Sequence, residues 1–367
     1  MKLKDIVHAL EELAPLRYAE SWDNVGLLVG DPSADVKRVL VTVDYTRDVA
    51  DEAAAAKADL VVAYHPPMFA AVKRVPHDAL WAEAVRRGVA LYSPHTALDV
   101  AKDGTNDWLA DACGVAADER RALRAHSEKD ANYKLVTFVP ADALEKVSSA
   151  MFEAGAGRIG AYTHCSFRLA GTGTFFGEEG ANPAVGQAGK LETVDEIRLE
   201  TLVAISKIDR VLAAMRAAHP YEEPAFDIVR LALPAESPAI GLGRVGPIAE
   251  TRRSVLVETI KKALGVSHVL VAGPTDVSAK RVAVAAGAGG ELLEDAVRAK
   301  ADVFVTGEIR HHDALAAARR GVTVIAALHS NSERAAVRAY AKRVGAKLGA
   351  AVDVLSSTRD ADPFVVT

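Results

Sequence analysis

The chain has 367 residues, enough for two or three domains, and half of them are apolar. Acidic residues outnumber basic ones, 49 to 44, for a net charge of −5, which disfavours a nucleic-acid-binding surface. No apolar run approaches the roughly 18 residues of a membrane span. Two cysteines, Cys113 and Cys165, stand far apart with no CxxC pairing, so neither a disulfide framework nor a thiolate zinc site is expected and the setting reads as cytoplasmic.

In chain order, Met1-Lys2-Leu3-Lys4-Asp5 opens an amphipathic helix pattern rather than a signal peptide. Lys37-Arg38-Val39-Leu40-Val41 starts a strand, a helix pattern runs to Ala56-Lys57-Ala58-Asp59, and Leu60-Val61-Val62 is a second strand. The same pattern returns 243 positions later, from Lys280-Arg281-Val282-Ala283-Val284 through Ala299-Lys300-Ala301-Asp302 to Val303-Phe304-Val305. Arg86-Arg87-Gly88-Val89 is likewise echoed by Arg319-Arg320-Gly321-Val322. Each copy reads strand–helix–strand–helix–strand, a parallel series with right-handed crossovers. The expected class is therefore α/β, with two pseudo-repeated halves, 1–127 and 234–367, forming one core.

Between them, 128–233 has another rhythm: a strand over Tyr133–Pro140, a helix over Ala141–Ala154, short strand pieces such as Cys165–Leu169 within the Gly-rich 155–189, a strand over Arg198–Ile205, a helix over Ser206–Ala218 and a strand over Phe226–Ala232. This order predicts an inserted ferredoxin-like α+β domain. His164, His219 and Glu222-Glu223 lie within it and read as structural.

Ligands of α/β sheets gather beyond the carboxyl ends of the strands. There the sequence places Tyr64-His65-Pro66-Pro67, Pro94-His95-Thr96-Ala97-Leu98-Asp99, Thr306-Gly307-Glu308 with His311-His312-Asp313, and His329-Ser330-Asn331-Ser332-Glu333. A nitrogen and oxygen donor set without thiolate suits zinc, manganese, iron or nickel. Each piece also has a plainer reading. His65 could end a strand, His95 and Asp99 could be a local polar pair, and His312-Asp313 could be an exposed helix turn. Ser330 to Glu333 fits a capping box, with Glu333 bonded back to the Ser330 amide. Gly287-Ala288-Gly289-Gly290 suits a phosphate cradle or a tight turn equally well. Gly241-Leu242-Gly243-Arg244-Val245-Gly246 has dinucleotide-fingerprint spacing but follows a loop, Pro234–Pro238, and is rejected as one.

These residues resemble the GTP cyclohydrolase 1 type 2 homolog family of dinuclear-metal, toroidal, usually hexameric proteins. The matching stretches are Ser21-Trp22-Asp23-Asn24-Val25-Gly26-Leu27, Tyr64-His65-Pro66, His95 to Asp99 with Asn106-Asp107-Trp108, Thr306-Gly307-Glu308 with His312-Asp313, and His329 with Glu333. The middle segment, with His219-Pro220-Tyr221-Glu222-Glu223-Pro224, is similar to the CutA/PII-like insert of the longer members. The resemblance implies two divalent ions, zinc foremost, held by His65, Asp99, His329 and Glu333. Tyr64 stands where the family has a histidine, and a phenol with a pKa near 10 is a poor ligand. Tyr64 and His95 are then expected behind the ligands, and Glu308 and His312 as proton-handling catalytic residues. The implied activity is hydrolysis of a small molecule, nucleotide-like or phosphorylated, by a homo-oligomer. The alternative is a scaffold without turnover that senses a ligand through the inserted domain.

Overall fold

The structure, a computed structural model, describes residues 1–126, 132–160, 162–231 and 239–365. The chain divides into two compact units, Met1–His126 with Ala235–Thr367, and Ser127–Pro234. The expected boundaries at 127/128 and 233/234 fall outside the described residues, as do Ala232 and the Pro234–Pro238 loop.

In the larger unit the first stretch runs α1 (Leu3–Leu13), β1 (Gly26–Val29), β2 (Arg38–Thr42), α2 (Arg47–Ala55), β3 (Leu60–Ala63), α3 (Leu80–Arg87), β4 (Ala90–Ser93), α4 (His95–Val100), α5 (Thr105–Ala112) and β5 (Arg121–Ala125). The smaller unit holds β6 (Asn132–Val139), α6 (Leu144–Glu153), β7 (Ser166–Phe176), β8 (Leu191–Ala204), α7 (Ile208–Ala218) and β9 (Phe226–Arg230). The larger unit resumes with β10 (Gly241–Arg252), α8 (Arg253–Leu264), β11 (Leu270–Ala272), β12 (Ser278–Ala285), α9 (Leu293–Arg298), β13 (Val303–Thr306), α10 (His311–Arg319), β14 (Thr323–Ala326), α11 (His329–Leu348) and β15 (Asp353–Ser356).

The fold is mixed α/β with three sheets. Two lie in the larger unit, ordered β1-β4-β3-β2-β15 and β11-β14-β13-β12-β10-β5. Strands β2, β3 and β4 are parallel, as are β12, β13 and β14. Their central members are buried along their whole length, as continuous apolar runs must be when helices cover both faces of a sheet. On one face of the first sheet, Leu3, Ile6 and Leu10 of α1 pack with Val337, Tyr340 and Val344 of α11. Their spacing is the apolar stripe of an amphipathic helix.

The registers of the two parallel series correspond. Val39 pairs with Leu60, and Val282 with Val303, each pair 243 positions from the other. Asp59 Oδ2 accepts from the amides of Lys37 and Arg38, at 2.7 and 3.0 Å, and Asp302 Oδ2 accepts from those of Lys280 and Arg281 at the same distances. Lys57 and Lys300 both take left-handed backbone angles, φ 53 and 57, just past the helices they end. The two stretches do not build separate sheets, however. β15, from the end of the chain, pairs in parallel with β2, while β5, from the first stretch, pairs antiparallel with β10.

Arg244, on β10 inside the GxGxxG-spaced run, is fully buried and ties the stretches together. Its Nε and Nη2 donate to both Asp107 carboxylate oxygens at 2.8 and 2.9 Å, and it also reaches the carbonyls of Gly241, Gly243 and Ala101. That run is strand and carries a structural guanidinium.

In the smaller unit four antiparallel strands take the order β7-β8-β6-β9, with helices following β6 and β8. The short strand pieces expected in the Gly-rich stretch are instead one eleven-residue strand, β7, paired along its length with β8. His219 is a structural histidine there: its Nε2 meets the Phe138 carbonyl at 3.0 Å and its Nδ1 accepts from the Tyr221 amide. Among the described residues no helix is long and apolar enough to cross a membrane.

Candidate metal centre

His65 follows β3, and His329 and Glu333 open α11 after β14, so the two sheets deliver donors to one place. Leu328, with φ 71, turns the chain so that α11 begins at His329. His329 and Glu333, four apart, then share one helix face. One donor atom from each of His65, His329 and Glu333 lies within 4.8 Å of the others. Glu333 Oε2 is 3.4 Å from His65 Nε2, and Glu333 Oε1 is 3.4 Å from His329 Nε2.

Both separations are too long for good hydrogen bonds. Glu333 is 2% exposed, and its Oε2 and the His65 Nε2 are buried without a hydrogen-bond partner. Two donors each about 2.1 Å from one tetrahedral ion would stand ~3.4 Å apart. Buried polar atoms are normally paired, so this convergence fits a cation better than it fits a hydrogen-bond network. Gly287 clears the space. A Cβ there would lie 2.4 Å from Glu333 Oε1 and 3.3 Å from His329 Nε2. The glycine run after β12 is thus needed for close approach.

Behind the donors, carboxylates face the far nitrogens of the rings, hydrogen-bonded at His65 and His95 and farther off at His329. Asp44, just past β2, meets His65 Nδ1 at 2.9 Å, and Glu308, just past β13, stands 3.3 Å from His329 Nδ1. Asp23 meets His95 Nδ1 at 2.7 Å. A carboxylate on Nδ1 fixes the tautomer that leaves Nε2 free for a metal. Burial disfavours a charged His65, but Asp44 and Glu333 outweigh it and raise its pKa to about 10. Partial burial likewise raises Asp44, and the His65 hydrogen bond and charge more than reverse it, leaving the carboxyl below its ordinary range.

Asp99 stands outside the trio. Its Oδ1 accepts from the Tyr64 hydroxyl at 2.5 Å, and its backbone carbonyl accepts from Asn106 Nδ2 at 3.0 Å. Asn106 Oδ1 takes the Ala286 amide after β12, so this amide pins the Asp99 turn to the other sheet's strand end. Burial pushes the Asp99 carboxyl up to about 6, against the pull of Tyr64, His95 and His65 and with a push from Glu333. Burial, then Asp99 and Glu333, drive the Tyr64 phenol well above its ordinary pKa, so it is a neutral donor. His95 stacks edge-on between Tyr64 and His65, with centroids 5.7 and 5.3 Å away. His312 is exposed on the first turn of α10, its ring against His311.

The capping box does not form. Ser330 lies inside α11 and its hydroxyl donates to Asp362, while Glu333 faces the two histidines. Sequence reasoning passed over Asp44. It follows a strand as the other polar groups do, and only its position, 243 residues before Gly287, hid it. Asp23 was noticed only within a motif, because its contact with His95 spans 72 residues.

Fold and donor set together define an α/β protein with a His–His–Glu group of metal-ligand geometry. The chain belongs to the Duf34/NIF3 (NGG1p interacting factor 3) family, whose model matches residues 1–363. It is 39% identical over 374 residues to a Mycobacterium bovis protein named GTP cyclohydrolase 1 type 2 homolog, covering 99% of this chain and 97% of that one. A Halalkalibacterium halodurans protein of the same name is 38% identical over 312 residues, 84% of this chain and 82% of the relative. Among solved structures, a Bacillus cereus protein related to NIF3 aligns over 100% of this chain and 99% of its own, with TM-score 0.67 and 33% identity. A Staphylococcus aureus protein aligns over the same shares with TM-score 0.67 and 29% identity.

Proposed function

We propose that this protein is a metal-dependent hydrolase of a nucleotide-like or phosphorylated small molecule, working in the cytoplasm as a homo-oligomer, a hexamer by family resemblance. The observation that carries the reading is the buried, unpartnered meeting of His65 Nε2 and Glu333 Oε2 beside His329. His65, His329 and Glu333 would hold one divalent ion, zinc foremost, with manganese, iron or nickel compatible with the same donors. The second ion implied by the family would draw on Asp99, which here is engaged by Tyr64. A bound ion would polarise the scissile group and acidify water. To Glu308, half exposed and 3.3 Å from His329 Nδ1, and to exposed His312 we assign the proton-handling roles. We assign 1–127 and 234–367 as pseudo-repeated halves of the metal-binding core, and 128–233 as a ferredoxin-like, CutA/PII-like insert.

The test is hydrolysis of a set of nucleotides and phosphate esters by metal-loaded protein, wild type against His329→Ala. Turnover lost with the imidazole supports the mechanism, and turnover that survives it rejects the mechanism.

A second reading, a scaffold that senses a ligand without turnover, is favoured by one feature. The smaller unit holds a cavity of about 510 Å³ walled by Phe138, Phe175, Glu196, Arg198 and Tyr221. Stoichiometric ligand binding with no product from any compound tested would select it.

A further inference from the structure

Trp22 and Phe69 are 58% and 57% exposed, yet they meet each other, with ring centroids 5.8 Å apart and planes tilted by 39°. Large apolar rings gain by burial, so a held, solvent-facing pair calls for a partner. Both are held from behind. The Asp23 side chain has no exposed surface and is fixed by His95 and Thr96, and Asn24 Nδ2 donates to the Met68 carbonyl at 2.6 Å. The chain is thus pinned immediately after Trp22 and immediately before Phe69. The connection from β3 to α3 that carries Phe69 is also longer than its counterpart between β13 and α10.

The pair is continuous with the metal centre. Trp22 meets the His95 ring edge-on at 6.0 Å, His95 meets His65 at 5.3 Å, and His65 meets His329 at 5.2 Å. A row of rings therefore leads from open solvent to the donors. Its outer end offers π-faces, and its inner end offers imidazoles and carboxylates.

We infer that Trp22 and Phe69 are the wall on which a planar heteroaromatic ring of the substrate, such as a nucleobase, stacks while its polar portion reaches His65, His329 and Glu333. The inference rests on the reading of that trio as the reaction site. Stacking on an aromatic face discriminates a flat ring from a sugar or aliphatic chain, and it tolerates the identity of the base. Trp22 and Phe69 determine specificity by position and take no part in bond breaking.

The experiment uses the full-length metal-loaded protein with guanosine 5′-monophosphate as probe and ribose 5-phosphate as the ring-free control. Tryptophan emission, titration calorimetry, sedimentation and metal content are read on the same samples. The chain has three tryptophans, of which Trp22 is the exposed one, so saturable quenching by the nucleotide but not by the sugar phosphate is expected. By calorimetry, Trp22→Ala and Phe69→Ala should each weaken nucleotide binding by about 5- to 100-fold. Metal content and sedimentation should not change. Equal binding of both probes, binding untouched by Trp22→Ala, or a changed oligomeric mass in that variant would overturn the inference, the last by marking Trp22 as a contact between copies. Wild-type protein that binds the nucleotide yet holds no metal would instead sink the metal reading and leave the stacking wall standing.

Discussion

The Tyr64 hydroxyl donates to Asp99 at 2.5 Å, with the phenol buried and the carboxylate partly so. That bond takes up one oxygen of the carboxylate a second cation would need. Replacing the phenol with an imidazole frees Asp99 and adds a nitrogen donor. Tyr64→His should raise the metal bound after dialysis from about one ion per chain toward two. Equal stoichiometry in variant and wild type, by elemental analysis, would show that Tyr64 does not limit the second site.

Asp44 is expected to act on the metal through His65. Asp44→Asn keeps the shape but weakens the hold on Nδ1, and metal affinity should fall about 10- to 100-fold. The fold should persist, since Asp44 is partly exposed. Competition with a chelating dye measures the change, with circular dichroism as the control for folding.

The candidate donors were legible to the extent that chemistry sits at the ends of recognisable strands. His65, His329, Glu333 and Glu308 all follow continuous apolar runs, and the 243-residue echo put the runs before His65 and Glu308 in equivalent places. Asp44 was harder to find because its counterpart, Gly287, has no side chain to echo it. The edge strands were illegible for a different reason. β5 and β15 join sheets built mainly by other parts of the chain, and their pairing depends on long-range packing that local periodicity does not encode. The capping motif at Ser330 misled because the positive φ at Leu328 makes that residue the cap and starts the helix two residues earlier than the motif implies.

Proton linkage gives a third expectation. The raised pKa of His65, about 10 against 6.5 for the free residue, means the ion-free fold gains stability from the protonated ring below pH 6.5 and loses it as pH rises toward 10. A cation must displace that proton. The ion-free protein should therefore melt at falling temperature from about pH 7 to 10, with the metal-loaded protein changing less. Metal binding near neutral pH should release about one proton, seen as a dependence of binding heat on buffer ionisation enthalpy. Binding heats independent of buffer would contradict this.

Arg244 and Asp107 carry the junction of the two stretches. Arg244→Met leaves the Asp107 carboxylate in a buried site with one fewer cation, a change that costs about 3–5 kcal/mol. Pairing it with Asp107→Leu should recover part of the loss. Denaturant midpoints of the two single variants and the double variant measure the coupling, and additive losses would mean the pair is not the anchor described.

The most direct test is an anomalous difference map at the zinc edge from crystals grown with zinc. A peak within about 2.3 Å of donor atoms from His65, His329 and Glu333 together is the expected result. Zinc-loaded crystals with no peak among these three side chains would contradict the account.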